Sequence, residues 1–262
     1  MDNFAKLPEE CISEILSFTS PADVSTFSII TKRFKSASDS DIAWSKFVPS
    51  DIDDIISKSS IPLQFELPPT KKLLFLSLCD NPIVLDAGKK MFYLDKCTGQ
   101  KCVMIASADL SFFGTNNNVD VRNSRPDPKD RFKEVTQLEL YKGVLDICFK
   151  MPNKMLLSKE THYSCYLMYR MEDTCDDWVD DSSDYSITSS SDPFENITMI
   201  GNSERTREDG WEEIAIKSFF YSGAGDEDVE LRSTVGNDSD DVVVFVQGVE
   251  IRPRDAVRYD HD

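Results

Sequence analysis

Histidine is nearly missing from this chain: His162 and His261 are the two it has in 262 residues. A Cys–His nucleophile pair or a zinc site has little to build on, because structural zinc takes four ligands, usually as two close pairs. His162, Cys165 and Cys175 are neighbours in sequence and Cys97 and Cys102 form one loose pair, but no second good pair exists. Glycine-rich phosphate-cradling motifs are absent too. Glu212 and Glu213 are adjacent carboxylates, which in a strand point to opposite faces and cannot flank one glycosidic bond. The sequence therefore predicts no catalytic residue, no metal and no cofactor.

Long apolar runs are also lacking. Nothing approaches the roughly eighteen residues that a membrane-crossing helix needs. The first residues include Asp2, Glu9 and Glu10 and do not follow the basic-then-apolar plan of a secretory signal. The seven cysteines are odd in number and sit mostly in apolar runs, where cysteine behaves as a small hydrophobe in a reducing compartment. Cytoplasm or nucleus is the expected location. Basic residues are scarce in the last third: residues 172–262 hold 25 acidic and 7 basic side chains, against 22 of each in the rest. That surplus accounts for the whole net charge of −18 and repels phosphate backbones, so neither nucleic acid nor an anionic membrane is an expected partner.

What is present divides into two textures. Residues 5–47 read as compact helices. Pro8 opens the first, with Cys11, Ile12, Ile15 and Leu16 at helical spacing. Thr19-Ser20-Pro21 ends it and starts a second, with Asp23 in its first turn and Val24, Phe27 and Ile30 three residues apart. Ser38 or Asp39 is placed to cap a last short helix carrying Ile42, Trp44 and Phe47. About forty residues in three helices bury little core alone, so this unit is expected to lean on a partner or on the rest of the chain. Residues 49–71, punctuated by Pro49, Pro62, Pro68 and Pro69, read as a linker in which Asp51-Ile52-Asp53-Asp54-Ile55-Ile56 suits one helical turn or two.

Beyond residue 82 the pattern changes to short apolar runs separated by turns such as Asp86-Ala87-Gly88 and Cys97-Thr98-Gly99. The runs are Ile83–Leu85, Met91–Leu94, Cys102–Ile105, Val144–Lys150, Ser164–Arg170, Trp211–Phe220, Val229–Ser233 and Val242–Ile251. Strands at this spacing predict an antiparallel β-sandwich, making the whole chain α+β with two domains. Gly114–Asp130 reads as a loop by composition. Residues 172–196 read as an acidic disordered insertion, with nine acidic side chains, no basic one and six serines in residues 172–195.

The N-terminal block carries a specific order: Leu7-Pro8, Ile12, Ile15-Leu16, Pro21-Ala22-Asp23, Lys32-Arg33-Phe34, Trp44 and Phe47. It resembles an F-box over residues 1–48. The resemblance implies docking on a Skp-type adaptor, and through it a cullin, by Leu7, Pro8, Ile12, Ile15, Leu16, Val24, Phe27 and Trp44. Residues 72–255 carry Leu78-Cys79-Asp80-Asn81-Pro82, Asp86-Ala87-Gly88-Lys89-Lys90, Thr98-Gly99-Gln100-Lys101-Cys102, Ala108-Asp109-Leu110-Ser111, Arg131-Phe132-Lys133-Glu134-Val135, Gly210-Trp211-Glu212-Glu213-Ile214 and Gln247-Gly248-Val249-Glu250-Ile251-Arg252-Pro253. In this order they resemble the lectin-related phloem-protein-2 domain, a jelly-roll-like sandwich, with residues 256–262 left as a tail.

Together the two resemblances imply the substrate-recognition subunit of a Skp–cullin–F-box ubiquitin ligase, non-catalytic, holding a client protein for ubiquitination and proteasomal degradation. The alternative they imply is a lectin for N-glycans or GlcNAc oligomers. The family's Trp-Gly and Tyr-Trp elements are replaced here by Phe112-Phe113-Gly114-Thr115-Asn116-Asn117-Asn118. A sugar site needs a flat aromatic face with polar groups beside it. Phe112, Phe113, Asn116, Asn117 and Trp211 are the candidate client- or glycan-binding residues that remain.

Overall fold

The computed structural model describes residues 7–63, 67–114, 119–124, 130–141, 143–152, 154–172, 187–190, 198–200, 205–207, 209–223, 230–237 and 242–254. Among them, six helices come first: α1 (Glu9–Leu16), α2 (Pro21–Phe27), α3 (Lys32–Asp39), α4 (Asp41–Trp44), α5 (Ile52–Ser57) and α6 (Lys71–Asp80). Their starts follow from local chemistry. Pro8 precedes α1, whose first turn holds Glu9 and Glu10, where carboxylates suit the helix dipole. Ser20 and Asp23 form a reciprocal capping box at α2, with Pro21 in the first turn. Thr31 and Thr70 cap α3 and α6 through their side chains.

The cap of α4 is Ser40, whose Oγ accepts from Ile42 N at 3.2 Å, and not Ser38 or Asp39. Those two residues end α3, a helix the sequence pattern did not separate. Ser38 is buried there, and its carbonyl accepts from Trp44 Nε1 at 2.6 Å. Ser13 Oγ likewise donates to Ala37 O at 3.0 Å, tying α1 to α3.

The strands are β1 (Ile83–Leu85), β2 (Lys90–Leu94), β3 (Lys101–Ala106), β4 (Leu110–Gly114), β5 (Val119–Ser124), β6 (Val135–Leu140), β7 (Gly143–Lys150), β8 (Thr161–Glu172), β9 (Ile187–Ser190), β10 (Thr198–Ile200), β11 (Arg205–Thr206), β12 (Glu212–Tyr221), β13 (Glu230–Asn237) and β14 (Val242–Pro253). One sheet runs β1-β2-β3-β14-β8-β12-β11, with β6 beside the first half of β14 and β5 outside β6. The second runs β10-β9-β13-β7-β4. Neighbouring strands pair antiparallel, for example Val249 opposite Ile105 on one side and Leu167 on the other. The α+β architecture with an antiparallel sandwich is thus as the sequence predicts.

Alternation along the strands sets the core. Val103, Ile105, Cys165, Leu167, Ile214, Val249 and Ile251 of the larger sheet face Leu145, Ile147, Phe149, Leu231 and Val235 of the smaller one. The same apolar cluster continues without a break into the helices through Phe75, Leu78, Ile52, Ile55, Trp44 and Phe47.

Two sequence expectations change. The Gly114–Asp130 loop contains β5, where polar side chains hide the strand signal. Its pairing with β6 and the Arg122–Glu139 ion pair at 2.9 Å stabilise it instead of an apolar face. The stretch expected as a disordered insertion contains β9, which pairs with β13 from Thr234↔Ser190 to Asn237↔Ile187. Within the proline-punctuated linker the expected helical turns form α5, with Ile52 and Ile55 buried.

Candidate functional site

The helical block exposes apolar side chains that its own packing leaves over. Ile29 is 82% exposed, Phe18 73%, Ile30 56%, Ile15 47% and Ile42 40%. Ile29 and Ile30 lie in the turn after α2, where no helical register buries them, and Phe18 follows α1 with Lys46 Nζ over its ring at 3.0 Å. Exposed large apolar groups gathered on one small module mark an interaction surface.

The residues that the F-box resemblance implied divide in two. Pro8 and Ile15 are exposed, and Leu7 and Phe27 are partly buried, with Phe27 stacked on Phe34 at 6.1 Å. Ile12, Leu16, Val24 and Trp44 are at most 2% exposed. These four fill the block's interior and shape its surface from beneath. Ile29 and Phe18 were missed by the motif, because each lies in a turn outside the helices whose spacing carried it.

On the sandwich, the face of the larger sheet that points away from the core carries charge. Arg252 donates to both oxygens of Glu213, Nη1 to Oε2 at 2.9 Å and Nη2 to Oε1 at 2.5 Å. Its Nη1 also reaches Glu250 Oε2 at 3.1 Å, and Arg207 Nη1 donates to the same oxygen at 2.7 Å. Tyr93 donates its hydroxyl to Glu250 Oε1. The Tyr166 ring lies 3.6 Å from the Arg252 guanidinium.

Burial works against both charges of the Arg252–Glu213 pair, but their mutual bond outweighs it. Arg252 is held well above the ordinary arginine value, by Glu213 and Glu250, and Glu213 below the ordinary carboxylate value, by Arg252 and Arg207. Beside this network lies a cleft of about 410 Å³ lined by Cys79, Asp80, Pro82, Val84, Met91 and Tyr93 together with Arg131, Arg207 and Glu250. It offers an apolar wall and a set of fixed hydrogen-bonding groups.

The candidate recognition residues do not converge. Phe113 is exposed on β4, and Phe112 is half-buried against the core. Asn116 and Asn117 lie outside the described residues. Trp211 is 1% exposed, packed with Met104, Phe132, Val135 and Met168, so it has no face for a ligand. Its Nε1 donates to the Gln247 side-chain oxygen at 3.0 Å when that amide is turned toward it. Among the described residues no cluster of three or more His, Cys, Asp or Glu has the arrangement to hold a metal, and no helix is long and apolar enough to cross a membrane. Burial pushes the Cys165 thiol up to about 12, far from a reactive thiolate.

Comparison with known families decides what the two parts are. The F-box domain matches residues 4–46, and phloem protein 2 matches residues 100–253. The chain belongs to the F-box proteins that carry a phloem protein 2 domain. It is 30% identical to F-box protein PP2-B10 of Arabidopsis thaliana over 95% of this chain and 94% of that one. It is 31% identical to F-box protein PP2-B7 of the same plant, over 94% and 83%. Among solved structures, the CBM22-1 xylan-binding domain of Paenibacillus barcinonensis Xyn10C aligns with 55% of this chain and 85% of its own at 9% identity. Its TM-score is 0.31, too slight a likeness to bear on the ligand. The exposed apolar residues therefore belong to the F-box and the charged face to the phloem protein 2 domain.

Proposed function

We propose that this chain is the client receptor of a Skp–cullin–F-box ubiquitin ligase, acting in cytoplasm or nucleus. The F-box docks on a Skp-type adaptor and through it on the cullin, while the sandwich holds a client protein for ubiquitination and proteasomal degradation. The observation that carries the reading is the F-box's own division of labour: Ile12, Leu16, Val24 and Trp44 fill its interior, and Ile15, Phe18, Ile29 and Ile30 remain outside. Covering those groups is worth about 1.5–3 kcal/mol for each side chain fully buried, enough to drive docking of a helical module. The receptor's contribution to rate is positioning, which raises the effective concentration of client lysines near the conjugating enzyme and needs no catalytic residue.

The test is co-purification of the chain with a plant Skp-type adaptor, comparing the parent with Ile29→Asp/Ile30→Asp and with Leu7→Ala/Pro8→Ala. Both positions of the first variant are exposed, so its fold is retained. The parent captures the adaptor, and the aspartate variant loses capture by at least about tenfold, the effect of about 1.4 kcal/mol. Equal capture by all three forms, or none by the parent, overturns the reading.

A second reading, glycan binding by the sandwich, draws on the cleft at Tyr93. Met91 and Tyr93 supply a partly apolar wall, and Arg131 and Arg207 supply donors. Titration with GlcNAc oligomers, parent against Tyr93→Ala, decides it. Binding that the variant loses supports a lectin, and no heat with either form removes it.

A further inference from the structure

The F-box does not close its own core. Trp44 packs on Phe75 with ring centroids 5.3 Å apart, and Phe47 lies 6.3 Å from the same ring. Phe75 is fully buried, yet it belongs to α6, well past residue 46 where the F-box match ends. The start of α6 is fixed to α4 and to the end of α3: Lys71 N donates to Asp41 Oδ1 at 2.7 Å, and Lys72 Nζ to Asp39 Oδ1 at 2.5 Å.

A second flank is closed by the turn between β2 and β3. Asp95 Oδ1 accepts from Cys97 N at 3.1 Å, Thr98 N at 2.7 Å and Thr98 Oγ1 at 2.8 Å, which stiffens the turn. At its tip Gly99 has φ +75°, and a Cβ there would stand 3.2 Å from Pro21 Cγ and 3.5 Å from Phe47 Cβ. Ala22 N donates to Cys97 O at 3.4 Å. Beneath the tip, Lys101 Nζ meets both oxygens of Asp51 at 2.8 Å and the Met155 carbonyl at 2.7 Å, with 10% of the lysine side chain exposed. An ion pair this buried is costly to desolvate, so its value lies in fixing geometry.

We propose that α6 and the β2–β3 turn complete the F-box from outside it, and that Phe75 and Gly99 are positioning residues for the adaptor-docking helices. A unit of about forty residues is below the size that buries a sufficient core alone. The sandwich supplies the missing side, so the shape presented to the adaptor depends on the folded sandwich. The intramolecular half of the proposal stands on these contacts, and the adaptor half rests on the proposed function.

Native-state hydrogen exchange on the full chain separates the halves. Gly99→Ala and Gly88→Ala both place a side chain at positive φ, +75° and +95°, so each carries backbone strain of the same kind. A Cβ at Gly88 meets nothing within 4 Å. The expected result is exchange faster by about tenfold in the amides of α2 and α4 in Gly99→Ala, with the sheet strands unchanged, and parent-like helices in Gly88→Ala. Helices equally protected in both variants overturn the proposal. So does a loss of protection in Gly99→Ala that spreads evenly through both sheets.

Phe75→Leu provides the same readout should Gly99→Ala fail to fold. It keeps an apolar side chain but removes the ring contacts to Trp44 and Phe47, and α4 exchange as slow as the parent's overturns the proposal. Adaptor capture is measured in parallel. Weaker capture by Gly99→Ala than by Gly88→Ala supports the adaptor half, and equal capture overturns it. If the parent captures nothing, the ligase reading and the adaptor half fail together, while the exchange comparison still decides the intramolecular half.

Discussion

The residues that most define the sandwich's outer face are charged and buried. Glu213 is 2% exposed and Glu250 fully buried, while the two guanidinium groups that neutralise them, Arg252 and Arg207, come from β14 and from the residues just after β11. Glu213 is held below its ordinary value near 4.5, so its ionised form is favoured by folding. The stability this adds is present above that ordinary value and is lost as pH falls through the lower folded value. Asp146 follows the same sign: burial raises it, but bonds from Arg232 and Thr234 hold it low. Glu213→Gln is therefore expected to weaken the protein at neutral pH and to flatten the decline below about pH 4.5. Denaturant midpoints of parent and variant across that range check this. Parallel pH curves for the two would remove Glu213 from the account.

At the scale of elements, the helices are locally encoded and the strands are encoded in part. Ser20 illustrates the first: its Oγ accepts from Asp23 N at 3.1 Å, and Asp23 Oδ2 accepts from Ser20 N at 3.2 Å. Ser20→Ala removes half of that box and is expected to cost about 1 kcal/mol. A shift in the thermal midpoint checks it. β5 illustrates the second case. Val119-Asp120-Val121-Arg122 reads as loop because the residues that stabilise it, Glu139 and Leu138 across the ladder, lie in β6. β9 is hidden for the same reason, since its ladder partner β13 lies far along the chain.

The whole molecule joins what the sequence seemed to hold apart. A four-proline stretch between two textures reads as a linker, yet Ile52 and Ile55 enter the common core and Ser60 N donates to Val84 O at 2.8 Å. The charge imbalance stays regional: residues 172–262 carry 25 acidic and 7 basic side chains, whereas the F-box, residues 4–46, is nearly balanced with 6 acidic and 5 basic. In the proposed docking a nearly neutral F-box leaves apolar contact as the main attraction. That is in keeping with the proposal that burial of the exposed Ile15, Phe18, Ile29 and Ile30 drives association.

The sequence by itself determined the order of the two parts, the start of α2, the apolar strands of the sandwich and the family. Each of these rests on residues a few positions apart or on motifs in series. Tertiary structure alone decided which apolar F-box residues face outward, because Ile12 and Ile15 sit on one helix at nearly equal hydropathy and only packing against α3 and α4 separates them. It also decided that Trp211 is core, that Glu213 finds Arg252 39 residues away, and that Phe75 and Gly99 close a module to which they do not belong in sequence. Contacts of that separation leave no periodic signal, since their partners are chosen by the folded path of the chain.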